Sequence, residues 1–305
     1  MSTELADERY RAAAAVPEGG VGRGRPGSWR SAGESGMHTI VVFARRSRHE
    51  AVLGAWLADA VGRGEKVLVL RARGEDASLI DRSLTAAGLN PSSVVESGQV
   101  EVLDSARGGA ECGGRAESLY ELYLGQVRRA GRDEFPGVAM TGDERAMRAL
   151  VRDDVELVAH ERDIDRLVAD QGVRALCRYP VWEGGDVLRE ILRLHYRDVI
   201  DDLWQATVVA DRLLVRGEIE TSNVDRFDVV VRAAVTAGAS TVDLSRVEFF
   251  SAGAVRALFG AADLLHQRGR PLILHDPQVS HVKALALEFL AEHPAVDLIG
   301  KKSGW

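Results

Sequence analysis

Val242-Asp243-Leu244-Ser245-Arg246-Val247-Glu248-Phe249-Phe250-Ser251-Ala252-Gly253-Ala254 decides the fold of the second half of the chain. Ser240–Leu244 reads as a strand, and the residues up to Ser251 as a loop. Beyond them Val255, Leu258, Phe259, Ala262 and Leu265 make an apolar stripe at helical spacing, ended by Gly269. Working outward, Thr207–Val209 and Leu213–Arg216 read as a pair of strands and Val224–Ala237 as a helix. On the other side Pro271–Leu274 reads as a strand, and Val282, Leu285, Ala286, Phe289 and Leu290 mark a last helix. Mixed sheet and helix over residues 205–300 suit one small domain.

The preceding part alternates short apolar runs with helix-period segments. Thr39–Phe43, Val67–Leu70, Val100–Leu103, Val138–Met140 and Val173–Tyr179 read as strands. After the first strand Val52, Leu53, Trp56, Leu57, Ala60 and Val61 share one helical face that stops at Gly62 and Gly64. Further helices are expected over about 79–87, 117–130, 143–151, 154–169 and 187–195, with a Gly-rich loop at Gly108–Gly114. Such alternation predicts an α/β domain with a mainly parallel, doubly wound sheet over residues 37–200. Residues 1–36, rich in Gly, Ser and Arg toward Gly36, are expected to be a flexible tail, and 301–305 a short C-terminal one. Asp198–Gln205 joins the two domains and is too short for a loose tether.

Composition narrows the function. Charged residues make up 28% and the formal net charge is -7, spread along the chain, which argues against non-specific nucleic-acid binding. The chain has 2 cysteines, Cys112 and Cys177, so a reducing cytosol is expected. No apolar run long enough for a transmembrane helix occurs and no signal peptide is recognisable, so a cytoplasmic protein without membrane association is expected.

Within the quoted stretch, Asp243-Leu244-Ser245 through Gly253 resembles the signature of STAS domains, the module of anti-sigma factor antagonists and of some anion-transporter tails. Arg216-Gly217-Glu218-Ile219-Glu220 resembles the family's early Gly-Glu-Leu-Asp turn, and Arg268-Gly269 also fits. The resemblance covers about 205–299. It implies a small α/β domain with a mixed sheet that docks a kinase-like anti-sigma factor through Phe250, Ser251, Ala252, Gly253 and Ala254. In that branch a loop serine is phosphorylated. The matching position here is Ala252, which has no hydroxyl. Ser251, one position earlier, suits an N-cap and is also the remaining phosphorylation candidate. Asp243 and Ser245 are expected to hold a turn.

Met37-His38-Thr39-Ile40, Gly64-Glu65-Lys66-Val67, Ala175-Leu176-Cys177-Arg178-Tyr179 and Leu192-Arg193-Leu194-His195 resemble the MEDS domain, a sensory module of bacterial and archaeal regulators. That resemblance implies a degenerate, RecA-like core that senses a small-molecule ligand. His38, Cys177 and Tyr179 are the ligand-sensing candidates. His38 either binds a ligand, a metal or haem, or makes a strand-end hydrogen bond. Cys177 reads as a core thiol, with a thiol sensor as the alternative. Tyr179 either lines the cleft or packs.

Catalytic signals are thin. Gly62-Arg63-Gly64-Glu65-Lys66-Val67 lacks the spacing and hydroxyl of a phosphate loop, and Lys66 reads as the solvated start of a strand. The 8 histidines include no close metal-ligand pair, and His160-Glu161-Arg162-Asp163 reads as a solvated helix face. The expectation is a non-enzymatic bacterial signalling regulator of the anti-sigma antagonist type, without cofactor or resident metal. The alternative is a small-molecule sensor acting through a different protein partner.

Overall fold

The computed structural model describes residues 37–71, 78–105, 116–183, 185–275 and 292–299. The two tails, the Gly108–Gly114 loop, Cys112 and the helix expected through Val282–Leu290 lie outside the described residues. The chain divides into two units, one of 41–184 and one of 185–299 that also takes in His38–Ile40.

The first unit takes the last three residues of strand β1 (His38–Phe43) together with β2 (Lys66–Arg71), β3 (Val100–Asp104), β4 (Val138–Asp143) and β5 (Arg174–Pro180), in the order β1-β5-β4-β2-β3. The β2–β3, β2–β4 and β4–β5 pairs are all parallel, with Val67 opposite both Val100 and Ala139, and Met140 opposite Ala175. Val67, Leu68 and Val69 are all buried. A parallel strand covered on both faces needs this unbroken apolar run and not an alternating one. Between the strands lie α1 (Arg46–Gly62), α2 (Ser78–Ala86), α3 (Pro91–Glu96), α4 (Ala116–Arg132), α5 (Glu144–Arg148) and α6 (Asp154–Gln171). Leu68, Met140, Leu119, Tyr123 and Leu167 share one core cluster.

Caps set several helix ends. The Asp153 side chain accepts from the Glu156 N–H at 2.9 Å to start α6, and Gly172, at φ 67°, ends it. Asn90 caps α3 in the same way, with Pro91 in its first turn. This helix has no counterpart in the sequence reading, because only Val94 of its residues is buried and no stripe forms. Lys66 corrects an expectation: it is buried, its Nζ 2.6 Å from the Gly98 carbonyl and 2.7 Å from Glu101. The long stem is buried while the ammonium meets these two partners.

The second unit holds α7 (Gly185–Leu194), β6 (Asp198–Ile200), β7 (Trp204–Val209), β8 (Arg212–Ile219), α8 (Val224–Thr236), β9 (Thr241–Phe250), α9 (Ala252–His266), β10 (Leu272–His275) and β11 (Val296–Ile299). Its strand order runs β6-β7-β8-β9-β10-β11. β6–β7 and β7–β8 are antiparallel, and the remaining pairs parallel, so the expected mixed sheet is present. Phe227, fully buried on α8, meets Trp204 and Phe250 edge-on at ring-centroid distances of 5.7 Å and 6.3 Å.

Two expectations change here. Part of the joining segment, Asp198–Ile200, is strand β6, paired with Gln205–Thr207. The stretch Ser245–Phe250 is also strand and not loop, because β8 supplies partners as far as Ile219↔Phe250, across register shifts at Leu214/Arg216 and Gly217/Glu218. Asp243 and Ser245 therefore sit within β9, where the Asp243 carboxylate accepts from the Ser245 N–H at 3.0 Å.

Asp198 accepts from the Thr39 and Thr207 hydroxyls at 2.6 Å and 2.9 Å. Burial pushes its carboxyl above the ordinary range, with the two hydroxyls pulling the other way. An acid raised on folding contributes stability that is full below its unfolded value, about 3.9, and is lost as pH rises through the folded value. Asp198→Asn cannot ionise and should flatten that fall in denaturant midpoints measured across the acidic range. Parallel midpoint curves for the variant and the wild type would refute this origin of the slope.

Candidate functional site

β5 alternates its side chains across the sheet, so Cys177 and Tyr179 share one face and Arg178 takes the other. On the first face both residues converge on Glu161 of α6. The Tyr179 hydroxyl donates to Glu161 Oε1 at 2.5 Å, and the Cys177 thiol donates to Oε2 at 3.2 Å. Glu161 is wholly enclosed, at 0% exposure, with Cys177 at 5% and Tyr179 at 2%. The Met147 sulfur lies 3.8 Å from the same Tyr179 hydroxyl.

Burial pushes the Cys177 thiol and the Tyr179 phenol well up, and the Glu161 carboxylate adds to both. Each therefore stays protonated as a hydrogen-bond donor. A thiol held in that state is a poor nucleophile. The arrangement is a buried carboxylate cradled by neutral donors.

Glu161 corrects the solvated-face reading of His160-Glu161-Arg162-Asp163: His160 and Glu161 are buried while Arg162 is exposed. The signal was present in the spacing. Leu157, His160, Glu161, Ile164, Leu167 and Val168 recur at helical intervals, which puts His160 and Glu161 inside the apolar stripe.

On the other face of β5, fully buried Arg178 places Nη1 3.2 Å from His49 Nε2. A guanidinium only donates, so His49 Nε2 accepts and the ring is neutral. Burial, followed by Arg178, holds the His49 pKa well below its usual value. Phe43 stacks on this imidazole at 4.0 Å with an interplanar angle of 5°, and Trp182 meets Phe43 edge-on at 6.1 Å. Phe43 and Arg178 stand toward the carboxyl ends of β1 and β5, the end where doubly wound sheets hold their ligands.

In the second unit His38, 7% exposed, packs against His195, 0% exposed, with ring centroids 3.8 Å apart. Of the sensing candidates, then, Cys177 and Tyr179 share a carboxylate in the first unit, and His38 belongs to a histidine pair in the second. A groove of about 540 Å³ beside α7 and α8 is lined by Arg189, Arg193, Asp228 and Arg232. Arg193 pairs with Glu190, and Arg232 with Asp228 at 2.7 Å, each within its own helix. These pairs read as a solvated face and not as a binding site.

The β9–α9 junction sorts the proposed docking residues. Ser251 is the N-cap of α9, its Oγ accepting from the Ala254 N–H at 3.3 Å. Ala252 is exposed as the first residue of the helix. Phe250 and Ala254 are buried, and a β-carbon on Gly253 would meet Val224 at 3.0 Å. The aromatic that faces outward is Phe249, at 44% exposure, which the sequence reading did not single out.

The family model described as MEthanogen/methylotroph, DcmR Sensory domain (MEDS) matches residues 37–196. That range nearly coincides with the resemblance drawn from the sequence. No curated protein matches the chain. Among solved structures, a KaiC-like protein of the hyperthermophilic archaeon Pyrococcus horikoshii OT3 aligns with a TM-score of 0.40 and 11% identity. The alignment covers 60% of this chain and 79% of that one. The α/β class rests on the strand order above. No described helix is long and apolar enough to cross a membrane.

Proposed function

Because the chain belongs to the MEDS family of sensory domains, we propose that it is a non-enzymatic bacterial signalling regulator whose sensory domain controls a protein-docking STAS-type domain over residues 205–300. In this reading the docking partner is a kinase-like anti-sigma factor in the cytoplasm. The observation that carries the docking half is the β9–α9 junction: an exposed Phe249 stands two residues before the Ser251-capped start of α9. An outward aromatic beside a rigid helix start is the kind of side chain on which protein interfaces concentrate their binding energy.

Ala252 cannot accept a phosphoryl group, and the Ser251 hydroxyl is engaged as a cap. Control by the sensory domain, or constitutive docking, therefore takes the place of phosphorylation. On the sensory side, the Glu161–Cys177–Tyr179 and Phe43–His49–Arg178 clusters are the polar groups best placed to register a small molecule.

The test is affinity capture from the host's own cytosol with the whole chain as bait, repeated with Phe249→Asp. Capture of a kinase-like anti-sigma factor by the wild type, reduced at least about tenfold by the substitution, is expected for an interface aromatic. Thermal unfolding should be unchanged, since Phe249 is a surface residue. Capture of some other protein, equally reduced by Phe249→Asp, would favour the sensor that acts through a different partner. Equal capture of the anti-sigma factor by both baits would remove Phe249 from the interface.

A further inference from the structure

We propose that His38 and His195 form a binding site for a divalent transition-metal ion of the zinc class. The two residues stand far apart in sequence, one opening β1 and the other closing α7, so no ligand spacing announces them. Folding buries both and brings their rings to 3.8 Å between centroids, tilted by 50°. Their candidate ligand atoms lie within 4.8 Å of one another. Two nitrogens at about 2.0–2.1 Å from one zinc ion stand roughly 3.3 Å apart at a tetrahedral angle, within that bound.

The His195 ring is also oriented for ligation. Its Nδ1 lies 2.9 Å from the Ile191 carbonyl. A carbonyl only accepts, so Nδ1 carries the ring proton and Nε2 carries the lone pair. Metal-binding histidines are typically fixed this way, with the second nitrogen donating to a carbonyl or carboxylate. The helix itself supplies this orientation, because His195 follows Leu188, Ile191 and Leu192 on the buried face of α7. A ring contact made for packing alone would place no such demand on the tautomer.

Neutral imidazoles suit zinc, copper or nickel, whereas magnesium and calcium take oxygen ligands. Zinc holds four ligands in its closed sites. Two imidazoles leave room for further donors, from the chain or from a small molecule. The site is independent of the docking reading, since metal content is measured with no partner present.

The experiment is metal analysis of the full chain, purified without chelator, loaded with zinc and desalted. About one zinc ion per chain is expected, lost when His38→Gln and His195→Gln are combined, and absent in acid because ligating imidazoles must be neutral. X-ray absorption on the zinc-loaded wild type should show imidazole nitrogens at about 2.0–2.1 Å. This second measurement is independent of whether the variants fold. Less than about a tenth of an equivalent of zinc, equal uptake by the double variant, or a zinc sphere without imidazole would each overturn the proposal.

Discussion

Gly217→Ala is expected to destabilise the second unit by on the order of 3–5 kcal/mol. Gly217 sits in β8 opposite Trp204 with φ 95°, in the region that favours glycine. A β-carbon there would stand 2.2 Å from the Leu203 carbonyl oxygen and 3.0 Å from Trp204 Cα. Both are backbone atoms, so no side-chain rotation relieves the clash. The Leu203 carbonyl is also the acceptor for the Glu218 N–H at 2.9 Å. Pushing it away breaks the pairing at the point where the β8–β9 register shifts, between Gly217 and Glu218. Denaturant unfolding followed by circular dichroism measures the loss. A change under about 1 kcal/mol would mean that the bulge reshapes at little cost.

Phe227→Ala carries the second large effect, about 3–5 kcal/mol for truncating a buried phenylalanine. The ring is at 0% exposure and touches Trp204 and Phe250 edge-on, so its removal leaves a cavity under the central strands β7 and β9. The same substitution at Phe249, exposed on the opposite side of β9, is the internal control. It should alter stability by less than about 0.5 kcal/mol. A comparable loss at both positions would mean that Phe249 is more enclosed than its exposure indicates. Phe249 and Phe250 are neighbours in sequence, and the two-residue period of a strand alone sends them to opposite faces.

That pair shows where the sequence was sufficient and where it was not. Strand and helix identity was legible because each element carries its own period: Val67–Leu70 as an unbroken apolar run, and Val255–Leu265 as a helical stripe. Alternation of those elements points to a parallel sheet, and local motifs mark the MEDS range. The length of β9 was not legible. Ser245–Phe250 lacks a clean alternation, and its strand form depends on partners supplied by a bulged β8. Helix α3 escaped for the opposite reason, being too short to show a stripe.

The candidate sites divide the same way. By itself the sequence determined most of the element order, the absence of a phosphate loop, Ala252 at the acceptor position beside a Ser251 suited to capping, and Cys177 and Tyr179 as residues of one strand. Only the tertiary structure decided that Glu161 and not solvent accepts both of their hydrogen bonds, that Lys66 is buried, that Arg178 lies against His49, and that His195 meets His38. The reason is physical. Periodicity reports which way a side chain points from its own backbone. Which partner it then finds depends on strand order and on how helices pack, and those are set by contacts between residues distant in sequence.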